Sequence, residues 1–145
     1  MAELLLIVRL AGRRIALPAR EIEAVVELEG ITPVPGAAAH VAGLSALRSR
    51  VLTVIDSRTS LGFAADAEAD GNEAIVVSSG GHTYALVVEQ IEDVVEAESE
   101  TGPVQAPPGP GWDRVAKAVV EAGGDLLLLA DPHLLIAGPP LLAAA

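Results

Sequence analysis

Apolar residues along this chain fall into short runs separated by turns that contain glycine or a charged pair. Runs of this kind, rich in valine, leucine and isoleucine, are typical of β-hairpins. Four hairpins are predicted, formed by residues 3–17, 41–56, 74–89 and 115–130. Single strands are predicted at residues 24–28 and from Val94 onwards. The pattern therefore predicts an all-β protein.

Helical structure is predicted only as short turns. Asp56 and Asp131 each follow an apolar run, and an aspartate in this position is a good N-cap. Pro132 suits the first helical position directly after Asp131, and Pro18 is placed to open a turn over residues 19–22.

The two halves of the chain repeat each other. Residues 12–17 match residues 81–86 at an offset of 69, and Ile22 matches Ile91 at the same offset. The strand that ends at Asp56 matches the strand that ends at Asp131 at an offset of 75. Each half thus contains a hairpin, a third strand, a long connection, a second hairpin and a capped turn. Because open edges would be exposed, two small barrels are predicted.

Residues 1–145 are interpreted as one domain made of two intertwined subdomains, with approximate halves at 1–66 and 74–145. Residues 63–73 contain small and acidic side chains with little to bury, and they predict a mobile acidic loop between the halves. Proline and glycine mark two long connections, at 30–40 and 99–112.

Composition and charge narrow the classes of function. The absence of cysteine excludes disulfides and thiolate metal sites. The net charge of −11 divides into +1 for residues 1–58 and −12 for residues 59–145. An acidic half repels a phosphate backbone, so no nucleic-acid partner is expected. No segment has the pattern of a secretory signal or a membrane-spanning helix, so we expect a soluble, cytoplasmic protein without direct membrane insertion.

Patterns typical of enzymes are scarce. The three histidines are far apart, and no two have the spacing of metal ligands on one helix. The sequence has neither a nucleophile elbow nor a glycine-rich phosphate loop. No metal and no cofactor is therefore expected. A small acidic enzyme or ligand-binding protein that uses Asp56 and Asp131 as acid and base is the alternative from a different class.

The stretch 41–58 carries the clearest candidate for recognition. Arg48 and Arg50 are two residues apart, so in an extended backbone they project to the same side. Arginine on a rigid turn is suited to binding a carboxylate of a protein partner. Arg48 and Arg50 are therefore candidate partner-binding residues, and two solvated turn arginines are the simpler alternative.

Three segments, residues 31–36, 40–44 and above all 47–58, together with the repeated hairpins, resemble a known family. The chain resembles the CheW-like family, the coupling domain of bacterial chemotaxis, over essentially its whole length. The resemblance implies two packed SH3-like five-stranded β-barrels with short helical turns.

The resemblance also implies a non-enzymatic signalling adaptor. Such an adaptor bridges the cytoplasmic helical hairpin of a chemoreceptor to the regulatory domain of a CheA-type histidine kinase. The turn arginine of the family corresponds to Arg48, and a hydrophobic position linked to receptor contact corresponds to Ile22. An apolar groove between the barrels is a reasonable place for a receptor helix. The alternative in the same class is a divergent scaffold for a paralogous kinase pathway that binds no chemoreceptor.

The chain departs from the family pattern at four positions. Ala46 stands where asparagine is typical, Ser49 where glycine is typical, Thr53 where proline is frequent and Ser57 where leucine is frequent. If the turn requires a positive φ at position 49, Ser49 is strained or the turn is rebuilt. These departures are the reason for keeping the divergent-scaffold alternative.

Overall fold

The computed structural model describes residues 3–63, 73–98, 101–104 and 106–138. Within them the chain forms ten strands, three short α-helices and one 3-10 turn. In order these are β1 Leu4–Leu10, β2 Arg13–Pro18, the 3-10 turn Ala19–Glu21, β3 Ala24–Glu27, β4 Val41–Leu47, β5 Arg50–Asp56, α1 Ser57–Ser60, β6 Glu73–Ser79, β7 His82–Val87, β8 Gln90–Glu96, α2 Trp112–Val115, β9 Ala116–Ala122, β10 Asp125–Ala130 and α3 Pro132–Ala137.

The ten strands form two five-stranded sheets that combine both halves of the sequence. The first sheet has the order β8-β1-β2-β10-β9, and the second has the order β3-β6-β7-β5-β4. The hairpin β1–β2 therefore pairs with the last three strands, whereas the hairpin β6–β7 pairs with β3, β4 and β5. The two orders become identical when each strand is replaced by its repeat mate. The repeat read from the sequence is thus present in the topology.

Each sheet closes into a barrel because its two edge strands are bridged. Thr32, which follows β3, exchanges backbone hydrogen bonds of 2.8 and 2.9 Å with Leu44 of β4. Gly102, which follows β8, does the same with Val119 of β9, at 2.8 Å in both directions. These bridges remove most of the open edge of each sheet. The prediction of an all-β fold with two small five-stranded barrels is confirmed.

The apolar core has three parts, one inside each barrel and the largest between them. The interior of the first barrel is formed by Leu5, Ile7, Ala16, Val120, Ala122, Leu127 and Leu129. The interior of the second is formed by Leu28, Leu52, Val54, Ala74, Val76 and Ala85. The inter-barrel core joins the outer faces of the central strands with Leu61, Trp112, Val115, Leu135 and Ile136 from the helical segments.

The short helices hold one another through side chains that satisfy their terminal carbonyls. The hydroxyl of Ser60 in α1 donates to the carbonyl of Leu135 in α3, at 2.5 Å. Arg114 of α2 donates to the carbonyls of Leu134 and Ser60, both at 2.6 Å. Carbonyls near the ends of short helices have few intrahelical donors, and these side-chain contacts join the three helices to one another. Burial lowers the pKa of the Arg114 guanidinium.

Some element boundaries differ from the sequence prediction. Residues Trp112–Val115 form a helical turn, and β9 begins at Ala116 instead of Val115. The third strand of the second half begins at Gln90, four residues before Val94. Of the predicted acidic loop 63–73, residues 64–72 lie outside the described residues. No helix in the described ranges is long and apolar enough to cross a membrane.

All four hairpins are closed by two-residue turns with positive φ at both positions. The turns are Ala11-Gly12, Arg48-Ser49, Gly80-Gly81 and Gly123-Gly124. Positive φ at both central residues is the mark of the type I′ turn, whose twist matches that of the strands. Ser49, at φ 73°, is the one second-position residue of these four that is not glycine. A side chain in this conformation costs about 1 kcal/mol, so Ser49 is strained and the turn is not rebuilt.

Replacing Ser49 with glycine is therefore expected to stabilise the protein. The strain of about 1 kcal/mol is relieved, and the greater freedom of glycine in the unfolded chain offsets about half of that gain. Urea unfolding of Ser49→Gly should show a higher midpoint with an unchanged slope.

The matched control is Gly124→Ser in the β9–β10 turn. A Cβ atom at Gly124 meets nothing within 4 Å, so only the backbone conformation is tested there. This variant should lose about as much stability as Ser49→Gly gains. A destabilised Ser49→Gly protein would show that the Ser49 side chain contributes more than the strain costs.

Candidate functional site

Arg48 lies at the tip of the β4–β5 hairpin and has a positive φ of 48°. Because the backbone there is not extended, the argument that Arg48 and Arg50 share a side through strand alternation is wrong. Arg48 is exposed, and its guanidinium makes no hydrogen bond or ion pair with the residues that the structure describes. Its charge is therefore free to meet a carboxylate of a partner.

Arg50, in contrast, is bound within its own molecule. Its guanidinium donates to Oγ1 of Thr83 at 2.6 Å and lies 3.7 Å from the carboxylate of Glu23. That carboxylate also accepts a hydrogen bond from the Ser78 hydroxyl. Arg50 thus ties β5 to β7 and to the residue that follows Ile22. Its role in binding a partner stays a prediction.

The first barrel contains an equivalent polar cluster. Glu92 is the repeat mate of Glu23, and its carboxylate pairs with Arg14 at 3.0 Å. Arg14 also pairs at 2.9 Å with Asp125, the repeat mate of Arg50. The hydrogen bond from Arg14 to Asp125 raises the pKa of the arginine. In both barrels an arginine near a hairpin turn binds the glutamate at this repeat position, which is Glu23 in one barrel and Glu92 in the other. The Arg50 contact therefore belongs to the architecture of the repeat.

The outer face of the β4–β5 hairpin exposes apolar side chains. Leu44 is 38% exposed and Val51 is 66% exposed, although their chain neighbours Ser45 and Leu52 are buried. Ala46 lies directly opposite Val51 and is also exposed. We name Leu44, Ala46, Val51 and the adjoining Arg48 the β4–β5 face. Exposed aliphatic side chains beside an arginine are typical of protein–protein interfaces.

Ile22 directly follows the 3-10 turn, is half-buried and packs against the inter-barrel core. Three side chains beside this core are about half exposed: Leu4 at 50%, Val25 at 49% and Val94 at 55%. Val94 lies opposite Leu6, a member of the core, in the β1–β8 register. We name Leu4, Ile22, Val25 and Val94 the groove rim. Half-exposed aliphatic side chains along a core edge are suited to receive the apolar face of a helix.

The aspartates of the enzyme alternative are N-caps. Oδ1 of Asp56 accepts a hydrogen bond from the amide of Thr59 at 3.2 Å, and Oδ1 of Asp131 accepts one from His133 at 2.9 Å. The buried His40 ring lies 2.9 Å from the carbonyl of Ile136, which is a structural contact. No group of three or more acids and histidines among the described residues is placed to hold a metal ion. The predicted capping role of both aspartates is confirmed.

The barrels and their capped turns agree with one family in particular. A family model described as the CheW-like domain matches residues 4–139. The chain belongs to the CheW-like domain family. Members of this family are non-enzymatic scaffolding proteins, so the prediction that the chain is not an enzyme is confirmed.

A solved structure shares the fold of this CheW-like domain. The crystal structure of the scaffolding protein TtCheW from Thermoanaerobacter tengcongensis is similar at a TM-score of 0.80 and 19% sequence identity. The similarity covers 93% of this chain and 92% of TtCheW. At this identity the likeness establishes the fold. Comparison with curated proteins gives no match.

The four departures from the family pattern have different surroundings in this CheW-like domain. Ala46 lies on the β4–β5 face and Ser49 in the strained turn beside it. Thr53 is half-buried between Leu44 and Tyr84 in the sheet. Ser57 is fully buried, and its hydroxyl has no hydrogen-bond partner within the described residues. Two of the four changes therefore alter a surface that is open to partners.

Sequence reasoning missed most of the groove rim and the apolar part of the β4–β5 face. The sequence predicts Val51 and Val94 only as strand residues. Strand alternation contains the signal, since every second residue must point out of the barrel interior. Val51 is next to Leu52 of one barrel interior, and Val94 is next to Val95, which packs against the other. The sequence does not show which of the outward-facing residues the other barrel covers.

The capping role of Asp56 leads to a test that separates it from catalysis. Asp56→Ala is expected to lose about 1 kcal/mol of unfolding free energy because the Thr59 amide loses its acceptor. Asp56→Asn retains an acceptor and should stay within about 0.5 kcal/mol of the parent protein. Urea unfolding of both variants provides the measurement, and equal losses in the two would contradict a simple cap.

Proposed function

We propose that this CheW-like domain is a cytoplasmic chemotaxis adaptor that couples chemoreceptor tips to the regulatory domain of a CheA-type histidine kinase. The observation that carries the proposal is the presence of two separate exposed apolar surfaces, the β4–β5 face and the groove rim. Leu44, Ala46 and Val51 of the first surface and Leu4, Val25 and Val94 of the second lie on paired strands, whereas Arg48 and Ile22 lie beside them in turns. Two such surfaces on one small protein suit the simultaneous binding of two partners.

The groove rim is assigned to the receptor. A receptor tip is a helical hairpin, and the apolar stripe of such a helix repeats every three to four residues. Leu4, Val25 and Val94 offer half-exposed aliphatic side chains, and Ile22 is anchored in the inter-barrel core. Helix-in-groove binding of this kind needs no conformational change in the barrels.

The β4–β5 face is assigned to the kinase regulatory domain. Val51 and Leu44 supply apolar area that would be removed from water, and Arg48 supplies a charge without an intramolecular partner among the described residues. Arginine beside an apolar patch is frequently a hot spot, a residue that contributes much of the binding free energy of an interface. Arg50 supports the hairpin from within through Thr83 and Glu23.

A second candidate function is a scaffold for a paralogous kinase pathway without a chemoreceptor. The observation in its favour is that Ala46 and Ser49 change the β4–β5 face and its turn, which makes a changed kinase partner reasonable. Purified regulatory domain and a receptor signalling hairpin distinguish the two functions. The coupling adaptor forms a ternary complex with both, the alternative scaffold binds the kinase domain alone, and failure to bind either at high concentration contradicts both.

Arg48→Ala is expected to weaken binding to the kinase regulatory domain by about tenfold, because an interfacial charge pair is lost. The melting temperature should stay nearly unchanged, since the Arg48 guanidinium makes no hydrogen bond or ion pair with the described residues. Calorimetric titration measures the affinity. The matched control is Arg9→Ala, which removes an exposed arginine of the first barrel that lies 3.8 Å from Glu92. Equal effects of the two variants would point to a general charge effect.

Val94→Glu is expected to weaken binding of the receptor hairpin by about tenfold or more, because a carboxylate would be buried against an apolar helix. Kinase-domain binding should be retained. The control is Leu126→Glu, at a side chain of the first barrel that is 69% exposed and lies outside the groove rim. Retained receptor binding in Val94→Glu would remove the rim from the receptor site.

A further inference from the structure

His133 connects three elements beside the groove rim. Its Nε2 lies 2.9 Å from the carboxylate of Glu21, the last residue of the 3-10 turn that precedes Ile22. Its Nδ1 lies 3.0 Å from the hydroxyl of Ser79 at the end of β6. The ring therefore ties α3 to the residue before Ile22 and to the second barrel. The hydrogen bond with His133 lowers the pKa of Glu21.

The repeat contains a similar bridge with a different cation, whose glutamate lies one position earlier in the repeat than Glu21 does. Arg58 is two residues after the cap Asp56, as His133 is two residues after the cap Asp131. The guanidinium of Arg58 pairs with Glu89 at 2.8 Å. Glu89 lies shortly before Ile91, the repeat mate of Ile22. One bridge thus uses an arginine, and the other uses a histidine, the residue type whose charge commonly depends on pH near neutrality.

We infer that His133 is a positioning residue for the groove rim, which holds Ile22 in place through Glu21 and makes this surface depend on pH. The inference rests on the proposed function where it names the ligand, because the rim is assigned there to a receptor helix. Ser79 fixes the ring from the other side, so a change in the bridge acts on the Glu21 contact. The Arg58–Glu89 bridge is the internal reference that does not change between neutral and alkaline pH.

The direction of the effect follows from the charges. When the ring is protonated, an imidazolium faces a carboxylate, and attraction adds to the hydrogen bond. When a histidine ring loses its proton at higher pH, a neutral hydrogen bond remains, so the hold on Glu21 weakens but does not vanish. In strongly acidic solution Glu21 takes up a proton and the attraction is lost again; the lowered pKa of Glu21 moves this loss to a lower pH than for an ordinary glutamate. The rim is therefore held best in mildly acidic solution.

Other charges near the bridge are accounted for. Arg20, 4.0 Å from Glu21, and Lys117 also favour its ionised form. The charged or titratable residues on the described elements packed against α3 are Arg58, Glu73, His82, Tyr84, Asp113 and Arg114. None of them forms an ion pair with His133 in the described structure, and His82 is the one other histidine among them. A variant at His133 separates the two histidines.

Amide hydrogen exchange on the chain alone is the first test. The amide of Ile22 donates to Ala19 at 3.0 Å and that of Glu23 donates to Val76 at 2.8 Å, so both report opening of this segment. Their protection, corrected for intrinsic exchange, should be two- to fivefold higher at pH 5.5 than at pH 8.5, as expected for a partly exposed ion pair. The amide of Gly62, which donates to Thr59 at 2.9 Å beside Arg58, should show no such change.

Two variants complete the exchange test. His133→Arg copies the Arg58 bridge and should give protection of Ile22 and Glu23 that does not change with pH. His133→Ala should lower that protection at pH 5.5 and also abolish its pH dependence. If the parent protein and His133→Arg have the same pH profile, the inference is overturned.

Binding of a receptor signalling hairpin is the second test, measured at pH 5.5 and 8.5. The parent protein should bind two- to fivefold more tightly at the lower pH, and His133→Arg should bind equally at both. A pH-dependent exchange without any hairpin binding supports the positioning role and overturns the proposed receptor function. Hairpin binding with identical pH profiles in both proteins supports the receptor function and overturns the role of His133.

Discussion

The fold depends on burial of both faces of four central strands, β1, β2, β6 and β7. One face of each strand fills a barrel interior, and the other face packs into the inter-barrel core. This double burial explains why β1 reads as a nearly continuous apolar run instead of an alternating one. Because each of these hairpins also pairs with strands from the other half of the sequence, neither barrel can form from one half alone.

Much of this architecture could be predicted from local chemistry. Asp56 and Asp131 were recognisable as caps because an aspartate between an apolar strand and a short polar segment has few other structural uses. Three of the hairpin turns were recognisable from their glycines and the fourth from its charged residues, and the offset between Ile22 and Ile91 revealed the repeat. A sequence repeat does not say which hairpin joins which third strand. The exchange between halves is a property of strand pairing, so only the topology could reveal it.

The candidate site was less predictable, and Arg50 shows why. From the sequence alone Arg50 is equivalent to Arg48, because both lie in the charged stretch predicted as one turn. In the structure Arg48 has a positive φ and lies in the turn itself. Thr83 and Glu23 bind the Arg50 guanidinium, whereas the Arg48 guanidinium makes no hydrogen bond or ion pair with the described residues. Partners that lie more than twenty residues away in sequence cannot be inferred from spacing. The exposed aliphatic side chains of the groove rim were hidden for the same reason.

The exchange of hairpins also orders events during synthesis on the ribosome. Strand β2 ends at Pro18, whereas its sheet neighbour β10 ends at Ala130, close to the last residues of the domain to be made. At about 5–20 residues per second, roughly 6 to 20 s pass between them. Strand β1 gains its neighbour β8 once residue 96 has been made, but β2 has no neighbour except β1 until β10 is complete. The apolar first hairpin therefore lacks its full set of neighbours until synthesis of the domain is nearly finished, and shielding by a chaperone would act on it during that interval.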